Sequence, residues 1–277
     1  MELEKAPCHD LDIEGLENVK HLEGAEQAKI SNNSSITWLT LIWEHDKGSL
    51  VGHADAMADK SVLEKLVPPR SLQVLFLSGY MSADFPSWML DIPSYLPHLT
   101  SIVLYALKRC SRLPPLGRLP NLRALALSKM PDLKCVDREF YGDYGSCQKL
   151  RMIVLNKMDN LESWWTTRSS TEEGEFLIPN LHLLAAMDCP KLKFMPYPPR
   201  SMVWMLENCE HVLPEHGFGN LSSSTSPFFL VIGDTSLSSE WWRRTQHISS
   251  IEGLELNNIT GLGTLPEAIR CFSENSP

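Results

Sequence analysis

The chain has 277 residues with 25 Lys+Arg against 34 Asp+Glu, a formal net charge of -9. That deficit of cations argues against nucleic acid as a main partner, because such binding needs a basic surface to displace counterions from phosphates. Apolar residues make up 43% and charged residues 21%, the balance of an ordinary folded domain, and no apolar run approaches the ~18 residues of a membrane-spanning helix.

Met1-Glu2-Leu3-Glu4-Lys5 lacks the basic start and apolar stretch of a secretion signal. Seven cysteines are scattered without a CxxC pair, which points to reduced thiols. The expected location is therefore the cytoplasm, with the nucleus and the inner face of the plasma membrane left open.

One phrase recurs along the chain. It opens as Cys8-x-x-Leu11-x-Ile13, and alanine-rich helical composition follows over Leu22 to Ile30. Ile36-x-x-Leu39-x-Leu41 comes next, then a long insertion at Glu44–Lys60. Ser61-Val62-Leu63-Glu64 fits a capping box ahead of a short helix that Pro68-Pro69 stops. The phrase returns as Leu72-x-x-Leu75-x-Leu77, Leu99-x-x-Ile102-x-Leu104, Leu122-x-x-Leu125-x-Leu127 and Leu150-x-x-Ile153-x-Leu155. Later come Leu181-x-x-Leu184-x-Ala186, a weaker Ser201-x-x-Trp204-x-Leu206, and Ile251-x-x-Leu254-x-Leu256. Further insertions fall at Asp137–Gln148, Thr166–Leu177 and Gly217–Ser226. Pairs such as Phe85-Pro86, Leu113-Pro114, Leu119-Pro120, Met195-Pro196, Leu213-Pro214 and Leu265-Pro266 mark repeat ends, where proline favours extended or turned chain over regular helix.

A fourth apolar column lies three residues after the third, at Leu16, Tyr80, Leu107, Met130, Met158, Cys189, Cys209 and Ile259, with Glu44 the exception. Nine repeats thus give 36 positions of which 34 are apolar, where the 43% composition would give about 15. A fifth column holds Cys110, Leu133, Leu161, Leu192, Val212 and Leu262. The second columns are spaced by 28, 36, 27, 23, 28, 31, 20 and 50 residues, and a tenth repeat at Leu230-x-Ile232 splits the last gap into 26 and 24.

This period belongs to leucine-rich repeats. A Leu-x-Leu core alternates as a strand does, so its leucines point one way and the intervening residues the other. Stacked repeats then build one continuous core and a parallel sheet. The expected fold is an α/β repeat solenoid: a leucine-rich repeat horseshoe of nine to ten repeats, with the parallel sheet on the concave face and irregular or short helical returns. Residues 1–277 read as a single repeat domain, well patterned over 8–200 and degenerate over 201–277. Neither end carries a distinct capping unit, which is expected of part of a longer array or a shortened one.

The outward positions of the strands include Trp38, Thr40, Ile42, Phe76, Val103, Tyr105, Ala126, Met152, Val154, Leu183, Met187 and Met205. Solenoids usually place polar residues there. An apolar stripe suggests a partner surface, against the alternatives that the sequence has degenerated or that insertions cover the stripe. Trp164-Trp165 and Trp241-Trp242 are candidate interface anchors, although Trp164 falls on a core column, which favours burial. Cys189 and Cys209 read as core thiols.

No chemistry-bearing motif emerges. G-x-S-x-G and H-E-x-x-H are absent, the nine histidines show no ligand spacing with cysteine, and Glu172-Glu173 sits in a polar loop as a solvated pair. The expectation is no enzyme, no metal and no cofactor.

Several unusual strings carry a closer resemblance. These are Leu11-x-Ile13-x-x-Leu16-Glu17-Asn18-Val19, Glu26-x-Ala28-x-Ile30, Leu39-x-Leu41-x-Trp43 and Val62-Leu63-Glu64-x-Leu66-x-Pro68-Pro69. Gly79-Tyr80, Phe85-Pro86-Ser87-Trp88-Met89, Cys110-x-x-Leu113-Pro114-Pro115-Leu116-Gly117-x-Leu119-Pro120-x-Leu122, Glu139-Phe140-Tyr141-Gly142 and Leu161-Glu162-x-Trp164 continue the series. In this order they resemble the repeat region of plant coiled-coil, nucleotide-binding, leucine-rich repeat disease-resistance proteins, well over about residues 8–200 and loosely beyond. The resemblance implies plant defense: recognition of a pathogen effector or a guarded host protein, and restraint of the receptor's nucleotide-binding and coiled-coil modules. The chain has no G-x-x-x-x-G-K-[ST], so ADP or ATP would belong to a nucleotide-binding module that is not part of it. A free-standing repeat adaptor or decoy, a truncated receptor relic and a hydrolase with an unrecognised site remain the alternatives.

Overall fold

Alternating apolar residues set in short repeats of this length form strands that can bury their leucines only against the next repeat. The computed structural model describes residues 8–45, 53–142, 145–168, 176–196, 198–199, 201–209, 211–212, 228–233 and 251–260. In chain order these hold β1 (Asp10–Ile13), α1 (Leu22–Gln27), β2 (Trp38–Ile42), α2 (His53–Lys65), β3 (Val74–Ser78), α3 (Ser87–Leu90), α4 (Ile92–Tyr95), β4 (Ser101–Tyr105) and β5 (Ala124–Ser128). There follow β6 (Cys135–Val136), α5 (Arg138–Tyr141), β7 (Met152–Asn156), β8 (Ser163–Trp165), β9 (Leu181–Met187), β10 (Lys193–Met195), β11 (Ser201–Glu207), β12 (Phe228–Gly233) and β13 (Ile251–Asn257).

Ten of the strands form one sheet in the order β1-β2-β3-β4-β5-β7-β9-β11-β12-β13, and every neighbouring pair is parallel. The phrase columns are the register: Leu39 pairs with Leu75, Leu75 with Ile102, Ile102 with Leu125, and Leu125 with Ile153. The segment at Leu230-x-Ile232 forms β12, in register with Trp204 and Leu206 of β11. This is the leucine-rich repeat arrangement that the period implies.

The inward columns build the core. Leu39, Leu75, Ile102, Leu125, Ile153 and Leu184 are fully buried, as are Cys110, Leu133, Leu161 and Leu192 of the fifth column. Each such side chain contributes about 1.5–3 kcal/mol of transfer free energy, largely offset by chain entropy. Cys189 and Cys209 lie buried in the fourth column. At Glu44 the fourth column is filled instead by Trp43, whose buried indole meets the Tyr80 ring at 5.5 Å while Glu44 stays exposed.

The strands also end alike. Ala106, Lys129, Lys157, Asp188, Asn208 and Asn258 follow their strands in the left-handed region at φ 50 to 56°, and Gly79 does so at φ 74°. The ladder sustains this unfavourable conformation for non-glycine residues. Ala106 donates its N–H to Ser128 O (2.8 Å), Lys129 to Asn156 O (3.0 Å) and Lys157 to Met187 O (2.9 Å). At Gly79 a glycine is required, because a Cβ there would stand 2.0 Å from Trp43 O.

The returns differ from the sequence expectation in two places. Ser61 does not cap a helix: α2 begins at His53, inside the expected insertion at Glu44–Lys60, and Ser61 Oγ donates back to Met57 O at 2.9 Å. The Glu64 carboxylate meant for the capping box accepts instead from Ser87 N at 3.0 Å and from Ser87 Oγ. Pro86 keeps the extended conformation expected of it, at φ -67° and ψ 162°, immediately before α3, and Pro115 precedes a 3-10 turn over Leu116–Arg118. Finally, β6, β8 and β10 form a second, three-stranded parallel sheet in the return segments. Trp164 of β8 is fully buried there, with its Nε1 donating to Tyr141 Oη at 2.8 Å and its ring tilted over Phe194 at 6.4 Å. The expected features at Gly217–Ser226, Leu213-Pro214, Trp241-Trp242, Leu262 and Leu265-Pro266 lie outside the described residues.

Candidate protein-binding surface

Because strand residues alternate, the register that buries the leucines also sorts the outward side chains into three rows across the sheet. The central row runs Thr40, Phe76, Val103, Ala126, Val154, Ala185, Met205 and Val231, all in Cα register. It carries no charge over eight strands, a span of roughly 34 Å at the usual strand spacing. The row nearer the strand starts includes Trp38, Val74, Met152, Leu183, Val203 and Phe229. Trp38 is 46% exposed, Met152 37% and Met205 42%, so the apolar face is open to solvent at widely separated strands. Exposed apolar area of this continuity is the usual mark of a contact surface.

The sequence-derived set divides on this geometry. Thr40, Phe76, Val103, Ala126, Val154 and Met205 fall in one continuous row, and Trp38, Met152 and Leu183 in the row beside it. Ile42, Tyr105 and Met187 occupy the third row, near the strand exits, where Ser78, Ser128 and Asn156 interrupt them. They do not form an apolar strip. Val74, Ala185, Val203, Phe229 and Val231 belong to the face but are absent from that set. Their signal was positional, because each stands one residue before or after a second-column residue.

A polar shelf borders the face at the starts of β2 to β5. It encloses about 610 Å³ and is lined by Thr37, Ser71, Gln73, His98, Thr100, Asn121 and Arg123. The buried thiols lie away from the face, and burial pushes Cys110 and Cys147 up to about 12, so both stay protonated and poorly nucleophilic near neutral pH.

Residues 2–130 match the family of R13L1/DRL21 leucine-rich repeats. A disease resistance RPP13-like protein 1 of Arabidopsis thaliana, named putative, is 27% identical over 190 residues, covering 66% of this chain and 18% of that protein. The disease resistance protein RGA2 of Solanum bulbocastanum is 27% identical over 186 residues, covering 66% and 18%. The chain is thus similar over about two thirds of its length to plant disease resistance proteins, and its repeats are of the leucine-rich kind. RGA4 of Solanum bulbocastanum, a putative disease resistance protein, is 28% identical over 208 residues, covering 72% of this leucine-rich repeat chain and 19% of the relative. The leucine-rich repeat region thus spans less than a fifth of the length of these relatives. No helix among its described residues is long and apolar enough to cross a membrane.

Proposed function

We propose that this chain is the protein-recognition region of a plant intracellular immune receptor. It engages a pathogen effector or guarded host protein through the outward face of its sheet, and it contacts and restrains the nucleotide-binding and coiled-coil modules of the receptor. It acts by binding rather than by catalysis, and any ADP or ATP switching resides in the nucleotide-binding module. The cytoplasm is its proposed place of action. The observation that carries this reading is the uncharged row from Thr40 to Val231, flanked by the exposed Trp38 and Met152. Large aromatic and methionine side chains on an open surface are the anchors that protein interfaces favour.

Proximity labelling in leaf cells tests it. Wild-type chain is expected to label a receptor nucleotide-binding segment, an effector or an effector's host target. Replacing Trp38, Met152 and Met205 together with serine is expected to lower that labelling by about tenfold, the effect of losing ~1.4 kcal/mol of contact. Equal labelling by both forms contradicts the reading.

A further inference from the structure

The charges around this face are not spread evenly. In a chain of net charge -9, the three outward rows of β2 to β9 hold no charged side chain at all. The strands at the two sides of the sheet are acidic: Asp10 and Asp12 on β1, Glu207 on β11 and Glu255 on β13. At the centre the sign reverses. Arg123 and Arg151 stand just before β5 and β7, linked through Arg151 N to Arg123 O at 2.8 Å, and Lys129 and Lys157 stand just after the same strands. All four are exposed. None joins an ion pair among the described residues, whose pairs are His45–Asp59, Lys65–Glu26 and Arg112–Glu139. Lys129 Nζ lies 4.7 Å from the centre of the Tyr105 ring, which holds its charge at the exit end of the face.

The spacing gives the arrangement its meaning. Each lysine stands six positions after its arginine, about 20 Å of strand, and adjacent strands lie about 5 Å apart. Two pairs of cations therefore bracket an apolar floor. Ala124 and Ala126 on β5 make that floor shallow beside Met152 and Val154 on β7. We infer that β5 and β7 form the docking seat of a partner protein segment whose apolar side chains are bordered on both sides by carboxylates. The inference rests on the proposed role of this face and supplies the chemistry of its partner. About 20 Å corresponds to six residues of extended chain or some thirteen of helix. Cations with no carboxylate partner among the described residues keep their attraction for one in another protein, and the acidic strands on either side repel a segment set down out of place. Nucleic acid fits less well, since a phosphate backbone calls for a continuous basic track rather than an apolar floor.

The test is selection of random peptides displayed on phage against the whole chain, followed by affinity measurement with the enriched peptides. Asp and Glu are expected to flank apolar residues in those peptides. Affinity is expected to fall about tenfold in Arg123→Gln/Lys129→Gln/Arg151→Gln/Lys157→Gln and to weaken with added salt. The Met152→Ser/Val154→Ser variant is expected to lose binding by a similar factor. Circular dichroism checks that both variants fold, and Met152→Ser alone, at an exposed site, replaces the pair if it does not. Peptides that lose binding to the serine variant but are indifferent to the glutamine variant overturn the charge inference and leave the face as a binding surface. Peptides indifferent to both, or no enrichment at all, overturn both. Enriched peptides rich in Lys and Arg also overturn the inference.

Discussion

The centre of the sheet and its two outermost strands use the same phrase with different results. In β3 to β7 the leucines and isoleucines of the second and third columns are fully buried, whereas Leu11 and Ile13 of β1 and Leu254 and Leu256 of β13 are only half-buried. Each central strand is covered by a repeat on both sides, and β1 and β13 each have one neighbouring strand in the sheet. The outward faces change in step, uncharged over the middle and acidic at Asp10, Asp12 and Glu255. A repeat's inward residues therefore report how many neighbours it has, and its outward residues report what it is free to present.

Truncating one core residue in each region sharpens that comparison most. Ile153→Ala in β7 is expected to cost about 2–5 kcal/mol, and Leu254→Ala in β13 less than about 2 kcal/mol, because a half-buried site loses less transfer energy and leaves a smaller cavity. Denaturant unfolding of the two variants reads the gap, and equal losses would remove the distinction.

Alkaline pH should strike the centre next. Burial raises the folded-state values of Cys110 and Cys147 to about 12 and holds Tyr141 well above its ordinary value. A raised acid keeps its full stabilising contribution below the unfolded value and loses it as pH climbs toward the folded one. Stability is thus expected to be flat up to about pH 8.5 and to fall above it, by about 1.4 kcal/mol per thiol one pH unit beyond the unfolded value. Hydrogen exchange at pH 7 and pH 10, corrected for intrinsic rates, should place the loss around β4 to β7 rather than β13.

Gly79→Ala is expected to cost about 1–3 kcal/mol, since the new Cβ meets Trp43 O and the backbone sits at φ 74°. The smallest effect is expected at Lys157, in the same left-handed position but with room for a side chain. There Lys157→Gly should change the unfolding free energy by less than about 1 kcal/mol, relief of strain being opposed by the entropy of glycine in the unfolded chain.

The columns were legible in the sequence because which side chains face inward depends only on the repeat period. Leu230-x-Ile232 was readable as a strand on spacing alone. The second sheet was not, because β6 has only two residues and β8 and β10 three each, too few to show alternation. The start of α2 was hidden inside an apparent insertion, and Trp43 replaced Glu44 by a shift of one residue. The strand-end turns gave no signal either, since Ala106, Lys129, Lys157 and Asp188 occupy a left-handed position where glycine is the usual cue. On the face, apolar side chains caught attention one at a time, while its continuity through Val74, Ala185 and Val231 follows only from the register.

The most direct test of the face as the contact surface compares two exposed apolar sites in leaf cells. A photo-crosslinking amino acid is placed at Met152, 37% exposed on the outward face, and separately at Leu90, 53% exposed on α3 in a return segment. Crosslinking to a partner protein from Met152 and not from Leu90 is the predicted result. Crosslinking from Leu90 alone would show that exposure rather than the sheet face governs contact, and would contradict the account.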